Sequence, residues 1–229
     1  MSDSYRVSDS QVGVYSATSL EERIAWLDDI RETTWQLATP EVRKAWAAAR
    51  GRTVHPAPES LEIDANIRAR VWRGDAEALS YAVESVMTLH LGAAPRANSV
   101  REPRELTLEF ERHLGPRMTA ALLGGSFRPS QGGDLTVRIH VGRATGPRWP
   151  GSLMSHAIVG LHPEFVAGVS AAAEHAVLLG PGELDLNRAA YDEVGSSCAS
   201  FERATRALIE ALAVEPESVV TALCAALGR

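Results

Sequence analysis

The chain has 229 residues, 45% apolar and 23% charged, which is the length of one large domain or two small ones and an ordinary globular composition. Its formal net charge of −6 gives no bulk attraction to nucleic acid, so any such contact must rest on a local basic face. No run approaches the roughly 20 apolar residues that span a bilayer, and Lys44, the only lysine, excludes a nucleotide-binding P-loop. That loop needs a lysine after its glycine turn to reach the β- and γ-phosphates, whereas Lys44 stands in TPEVRKAWAAARG, a helical pattern with no glycine loop before it. Its neighbour Arg43 and a solvated helical setting also argue against a Schiff-base role.

Residues 1–18 are polar, lack an apolar signal core and read as a loose tail; the expected location is the cytoplasm. Residues 19–60 read as a helical hairpin and linker. Ser19 and Glu22 have capping-box spacing, Leu20, Ile24, Leu27, Ile30 and Leu37 form one stripe, and Pro40 opens a second helix. Trp26, Trp35 and Trp46 on this hairpin suit packing onto the main body or, alternatively, a homo-oligomer surface. Within 61–103, the alternation of Ile63, Ala65, Ile67, Ala69 and Val71 predicts one strand. The stripe Leu79, Ala82, Val83, Val86 and Leu89 predicts a helix opened by Gly74-Asp75.

The remaining segment, 104–229, begins with an alternating strand through Leu106, Leu108 and Phe110. Residues 114–133 are ambiguous, with Met118–Leu123 either strand or helical turn, broken by Gly124-Gly125. Leu135, Val137, Ile139 and Val141 mark a further strand. Then come a Gly/Pro-rich turn, a short strand near 152–159 and a helix from His162-Pro163 to Gly180-Pro181. A strand near 183–190, the loop YDEVGSS, a helix carrying Phe201, Ala204, Leu208 and Leu212, and a short helix after Pro216 complete the chain. The fold class expected from this order is α+β, a sheet covered by helices on one face. Cys198 and Cys224, on apolar-patterned helical positions, are expected as buried reduced thiols.

The segments GLHPEFVAGVSAAAEHAV and ELDLNRAAYDEVGSSCASFERATRALIEAL resemble the fourth domain of the elongation factor G family, in the family's order. More weakly, IDANIRARVWRGD and the following residues resemble the end of its third domain. The resemblance implies a ribosomal protein S5 domain 2-like βαβ fold with a left-handed crossover, here preceded by the helical hairpin. It also implies a non-catalytic, translation-linked protein that binds the ribosome or RNA without GTPase activity. The loop tips that enter the decoding region in that family correspond here to Tyr191, Asp192 and Glu193, and to Gly132 and Gly133. Asp192 stands where the family has histidine, and an acidic tip repels phosphate.

Beside this, Arg128, Arg138, His140, Arg143 and Arg148, with Trp149 nearby, are candidates for RNA contact. The competing structural reading pairs Arg138 and His140 across strands with Glu109 and Glu111. His156, His162 and His175 lack metal-ligand spacing, so no metal or other cofactor is expected; His162 reads as a helix cap. Ser196 and Ser197 suit a helix N-cap better than a nucleophile. An alternative from another class is a small enzyme or small-molecule binder in which Cys198, His162 or the arginines line a pocket; paired carboxylates such as Asp192-Glu193 are adjacent rather than facing.

Overall fold

The chain divides into two compact units after Val54. The structure, a computed structural model, describes Ser19 and residues 58–74, 79, 81–92, 99–115, 117–143, 152–154 and 156–228. The expected tail and helical hairpin, Lys44, Arg148 and Trp149 lie outside the described residues.

The second unit is α+β, one eight-stranded mixed sheet with three α-helices among the described residues. Its strands are β1 (Glu59–Asp64), β2 (Ile67–Arg73), β3 (Ser85–Gly92), β4 (Arg104–Leu114), β5 (Arg117–Pro129), β6 (Asp134–Arg143), β7 (Ile158–Leu161) and β8 (Gly182–Tyr191). The spatial order is β1-β2-β4-β5-β8-β7-β6-β3. Every neighbouring pair is antiparallel, and β8 also pairs with β6 in parallel over Leu135–Ile139 and Gly182–Leu186. The helices are α1 (Val166–Ala173), α2 (Cys198–Ala213) and α3 (Val219–Leu227).

Two local readings change. The predicted strand through Ile63 and Val71 is a hairpin, because the Asn66 N–H donates to the Asp64 side chain at 2.6 Å and turns the chain. The predicted helix over 79–89 is instead a strand from Ser85 on. Its residues Met87, Leu89 and Leu91 lie opposite Ile139, Val137 and Leu135 of β6, and that long-range pairing overrides the helical stripe. The ambiguous 117–129 stretch is continuous strand. Gly124 and Gly125 do not break it; they sit at a register shift against β8 where a Cβ would overlap Thr107 and the Asp185 carbonyl.

The helices cover one face of the sheet. Ile67, Ala69, Val71, Leu108, Phe110, Leu123 and Phe127 meet Val169, Phe201, Leu208 and Leu223 in one buried cluster. Helix α2 starts at a capping box, with Ser197 Oγ accepting from the Ser200 N–H at 3.2 Å and Ser200 Oγ accepting from the Ser197 N–H at 2.8 Å. It ends where Arg104 donates to the Leu212 carbonyl at 3.0 Å and to the Val214 carbonyl, neutralising the negative end of the helix. The opposite face is mostly polar, with a small apolar cluster of Trp72, Leu79, Ala120, Leu122, Met154, Ala157, Val159 and Ala190.

Candidate functional site

Strand β8 ends in the YDEVGSS loop, which is held by its own polar groups. The buried Asp192 accepts from the Val194 and Gly195 N–H groups at 3.0 and 2.9 Å. Its N–H donates to Ser196 Oγ at 3.0 Å, and Ser196 Oγ donates to the Ala120 carbonyl at 2.7 Å. Asp192 is 3% exposed and its carboxylate is spent inside the turn, so only Glu193 brings an acid to the loop surface. The projecting side chain is Val194, 94% exposed. Tyr191 is buried beneath the loop, its ring 5.4 Å from Phe165 and 5.8 Å from His162. Burial raises its phenol pKa, the nearby Arg143 opposes that, and Glu193 and Glu164 add to it.

Cations gather at this end of the sheet from residues that sequence reasoning missed. Strands β4 and β5 pair down to Leu114 opposite Arg117, and Ala120 of β5 donates to the Gly195 carbonyl at 2.9 Å. The β4–β5 turn therefore lies at the loop end, bringing Arg112, His113 and Arg117 with it. His113 and Arg117 are exposed and Arg112 is half-buried; neither arginine forms an ion pair with a described residue. Arg203 of α2 is close enough to Arg112 that its pKa is lowered, first by desolvation and then by the like charge. On the β6 side, the exposed Arg143 donates to His162 Nε2 at 2.6 Å. The signal in the sequence was a turn, ERHLGPR, with basic residues on both sides of a glycine. It stayed hidden because the strand that follows it, β5, was ambiguous in the sequence and its pairing with β4 was therefore not legible.

The other sequence candidates lie elsewhere. Gly132 and Gly133 precede β6, whose start pairs with the start of β8 (Leu135 opposite Gly182). The YDEVGSS loop follows the end of β8, and ten residues of strand separate the two loops by roughly 30 Å. The structure does not bring the two expected loop tips together. Arg128 is exposed at the far end, opposite Glu183. Arg138 pairs with Glu183, and His140 lies 3.4 Å from Asp185. The expected cross-strand compensation is thus present with other partners: β5 and β8 stand between β4 and β6, so Glu109 and Glu111 face Arg70 and Arg68 instead.

Glu109 is fully buried, with one oxygen accepting from Ser152 Oγ and from the Leu153 N–H at 2.9 Å, and the other without a hydrogen-bond partner among the described residues. Burial pushes this carboxyl above the ordinary range, against the Ser152 and Leu153 hydrogen bonds and the Arg70 charge. Arg188, also buried, reaches past Gly124 to Thr107 at 3.3 Å and to Glu105. These groups build a compensated polar face.

The residues of an alternative enzymatic reading are near one another yet committed. His162 Nδ1 is 3.0 Å from Glu164, and the ring caps the turn at Pro163–Phe165. Cys198 is free and exposed, not buried as expected, because it is the first residue of α2 and turns its thiol outward to the Glu164 carbonyl at 3.0 Å. Cys224 is free and half-buried. Among the described residues no three His, Cys, Asp or Glu side chains converge as metal ligands, and no helix is long and apolar enough to cross a membrane. A cleft of about 620 Å³ lies between Ser99, Arg101, Arg104, Val214 and Glu215, open to solvent, its inner cation Arg104 bound to the end of α2. No protein-family model, curated protein or solved structure matches the chain.

Proposed function

We propose that the chain is a non-catalytic, elongation factor-like protein that binds ribosomal RNA through the end of the sheet carrying the YDEVGSS loop. The observation that carries this reading is the set of arginines around that loop. Among the described residues Arg112 and Arg117 have no acidic partner, Arg203 is held beside Arg112 despite the like charge, and Arg143 flanks the loop from the other side. Uncompensated cations on a chain of net charge −6 are what phosphate contact needs. The inward turn of Asp192 removes the main objection to the elongation factor resemblance, since the acid that replaces the family's histidine does not confront phosphate.

The topology supports the resemblance as well. Four strands (β4 to β7), a helix, a strand and a helix follow in order, and β8 enters beside β6 in parallel; this is in keeping with a ribosomal protein S5 domain 2-like module. The polar residues near Cys198 and His162 support a catalytic reading less well, because each is committed to a cap or a backbone carbonyl.

Co-sedimentation with purified ribosomes at low salt tests the proposal. The chain is expected in the ribosomal pellet, and an Arg112→Ala/Arg117→Ala variant, folded by circular dichroism, is expected in the supernatant. A wild-type chain that stays wholly in the supernatant, or a double variant that pellets equally well, would refute it.

A further inference from the structure

The two edges of the sheet are unlike. Strand β1 carries Glu59, Glu62 and Asp64 and a register shift between Glu62 and Asp64, which are devices that prevent a sheet edge from pairing with another. Strand β3, at the opposite edge, reads SVMTLHLG. It is eight residues long with no carboxylate, lysine, arginine or proline, and its register against β6 is unbroken from Ser85 to Gly92. Its outer row of N–H and C=O groups has no strand partner among the described residues.

Exposed apolar surface is concentrated at the same place. Six large apolar side chains are exposed among the described residues. Val83 at 47% directly precedes β3, Val86 at 45% and Met87 at 39% belong to it, and Leu178 at 41% ends the 174–178 turn that packs against it. Only Leu114 and Val194 lie elsewhere. Four of the six gather at this one unguarded edge, with Met87 on the helix side of the sheet and Val86 on the other. Met87, Leu89 and Leu91 extend the helix-covered core to the rim, where Leu89 and Leu91 already pack on it.

We infer that β3 is a homodimer interface, in which two copies join edge to edge as antiparallel strands about a two-fold axis at Thr88. The chemistry selects a second copy of this strand. An isologous contact needs a patch complementary to itself, and about Thr88 the pairing sets Met87 against the partner's Leu89 and Val86 against the partner's His90. No like charges face each other, since His90, the only titratable side chain of the strand, is kept apart from its copy. Main-chain hydrogen bonds supply the affinity of such strand addition. The two sheets become one, with Met87 and Leu178 of each copy meeting across the axis on the helix side. This surface shares no residue with the arginines around the YDEVGSS loop.

Light scattering of the full chain is expected to give twice the chain mass. Thr88→Lys, and separately Thr88→Glu, place two like charges opposite each other at the axis and are expected to yield monomers. An equal mixture of the two variants is expected to restore the dimeric mass through the opposite charges. Should either variant fail to fold, Thr88→Cys in a Cys198→Ser background is expected to form an intermolecular disulfide on mild oxidation. Residues facing across antiparallel strands stand about 4.5–5.5 Å apart at Cα, within the span of that bond. A monomeric wild type, a Thr88→Lys chain that keeps the dimeric mass, or no cross-link at position 88 would overturn the inference.

Discussion

Glu109 shows how one buried carboxyl ties an irregular segment to the sheet. It stands opposite Arg70 on the polar face, yet its hydrogen-bond partners are Ser152 and Leu153, more than forty residues later, beside Met154 of the small apolar cluster. Because desolvation outweighs the hydrogen bonds and the Arg70 charge, the folded protein holds this proton more tightly than the unfolded chain does. The folded state then binds more protons above the ordinary carboxylate pKa of about 4.3, so stability from this group is present at low pH and is lost as pH rises through its raised value. Glu109→Gln keeps an acceptor for Ser152 and Leu153 and removes the ionisation. Urea midpoints taken from pH 4 upward are therefore expected to show the wild type losing stability relative to Glu109→Gln as pH rises, and parallel curves would disprove the assignment.

Helices α1 and α2 make an unusually close approach at one glycine. A Cβ at Gly168 would overlap the Cys198 carbonyl, and Gly168 lies inside α1, where intrinsic propensity alone would have Gly→Ala stabilise by about 1 kcal/mol. Backbone on the α2 side cannot swing away as a flexible side chain would, so Gly168→Ala is expected to destabilise by about 1–3 kcal/mol, the ordinary cost of overpacking. A raised urea midpoint would contradict this contact. The helices were readable from sequence because their signals are local: His162-Pro163, the Ser197 cap and the Phe201–Leu212 stripe each declare an end or a face within a few residues. The strands at 104–110, 135–141 and 183–190 were readable for the same reason, by alternation. Strand β3 was not, since Val83, Val86 and Leu89 follow a helical stripe, and its pairing with β6 some fifty residues away decides the matter. Gly124-Gly125 looked like a break because a glycine pair gives the same local signal whether it ends a strand or admits a neighbour's side chain.

Over the molecule as a whole, the candidate site is a product of strand order, which no local pattern encodes. Tyr191 and Asp192 were identified in the sequence, but the inward turn of Asp192 depends on a loop anchored to Ala120 of β5. The arginines around that loop come from the β4–β5 turn, the end of β6 and the start of α2. The same order separates Gly132 and Gly133 from the loop by the length of β8 and gives Arg138 and His140 to Glu183 and Asp185. It therefore decides which arginines are left without an acidic partner among the described residues, and under the proposed RNA contact this has a measurable consequence. If Arg112, Arg117 and Arg143 each neutralise one phosphate of a single-stranded RNA segment, the logarithm of affinity falls with the logarithm of salt with a slope of roughly −2, near −0.7 for each contact. Removing Arg112 and Arg117 together is expected to bring that slope to about −0.7, whereas Arg138→Ala, which deletes a cation already paired, is expected to leave it unchanged. Fluorescence anisotropy of a labelled ribosomal RNA fragment over a salt series separates these outcomes. A slope insensitive to Arg112 and Arg117 but reduced by Arg138→Ala would move the contact surface to the opposite end of β8.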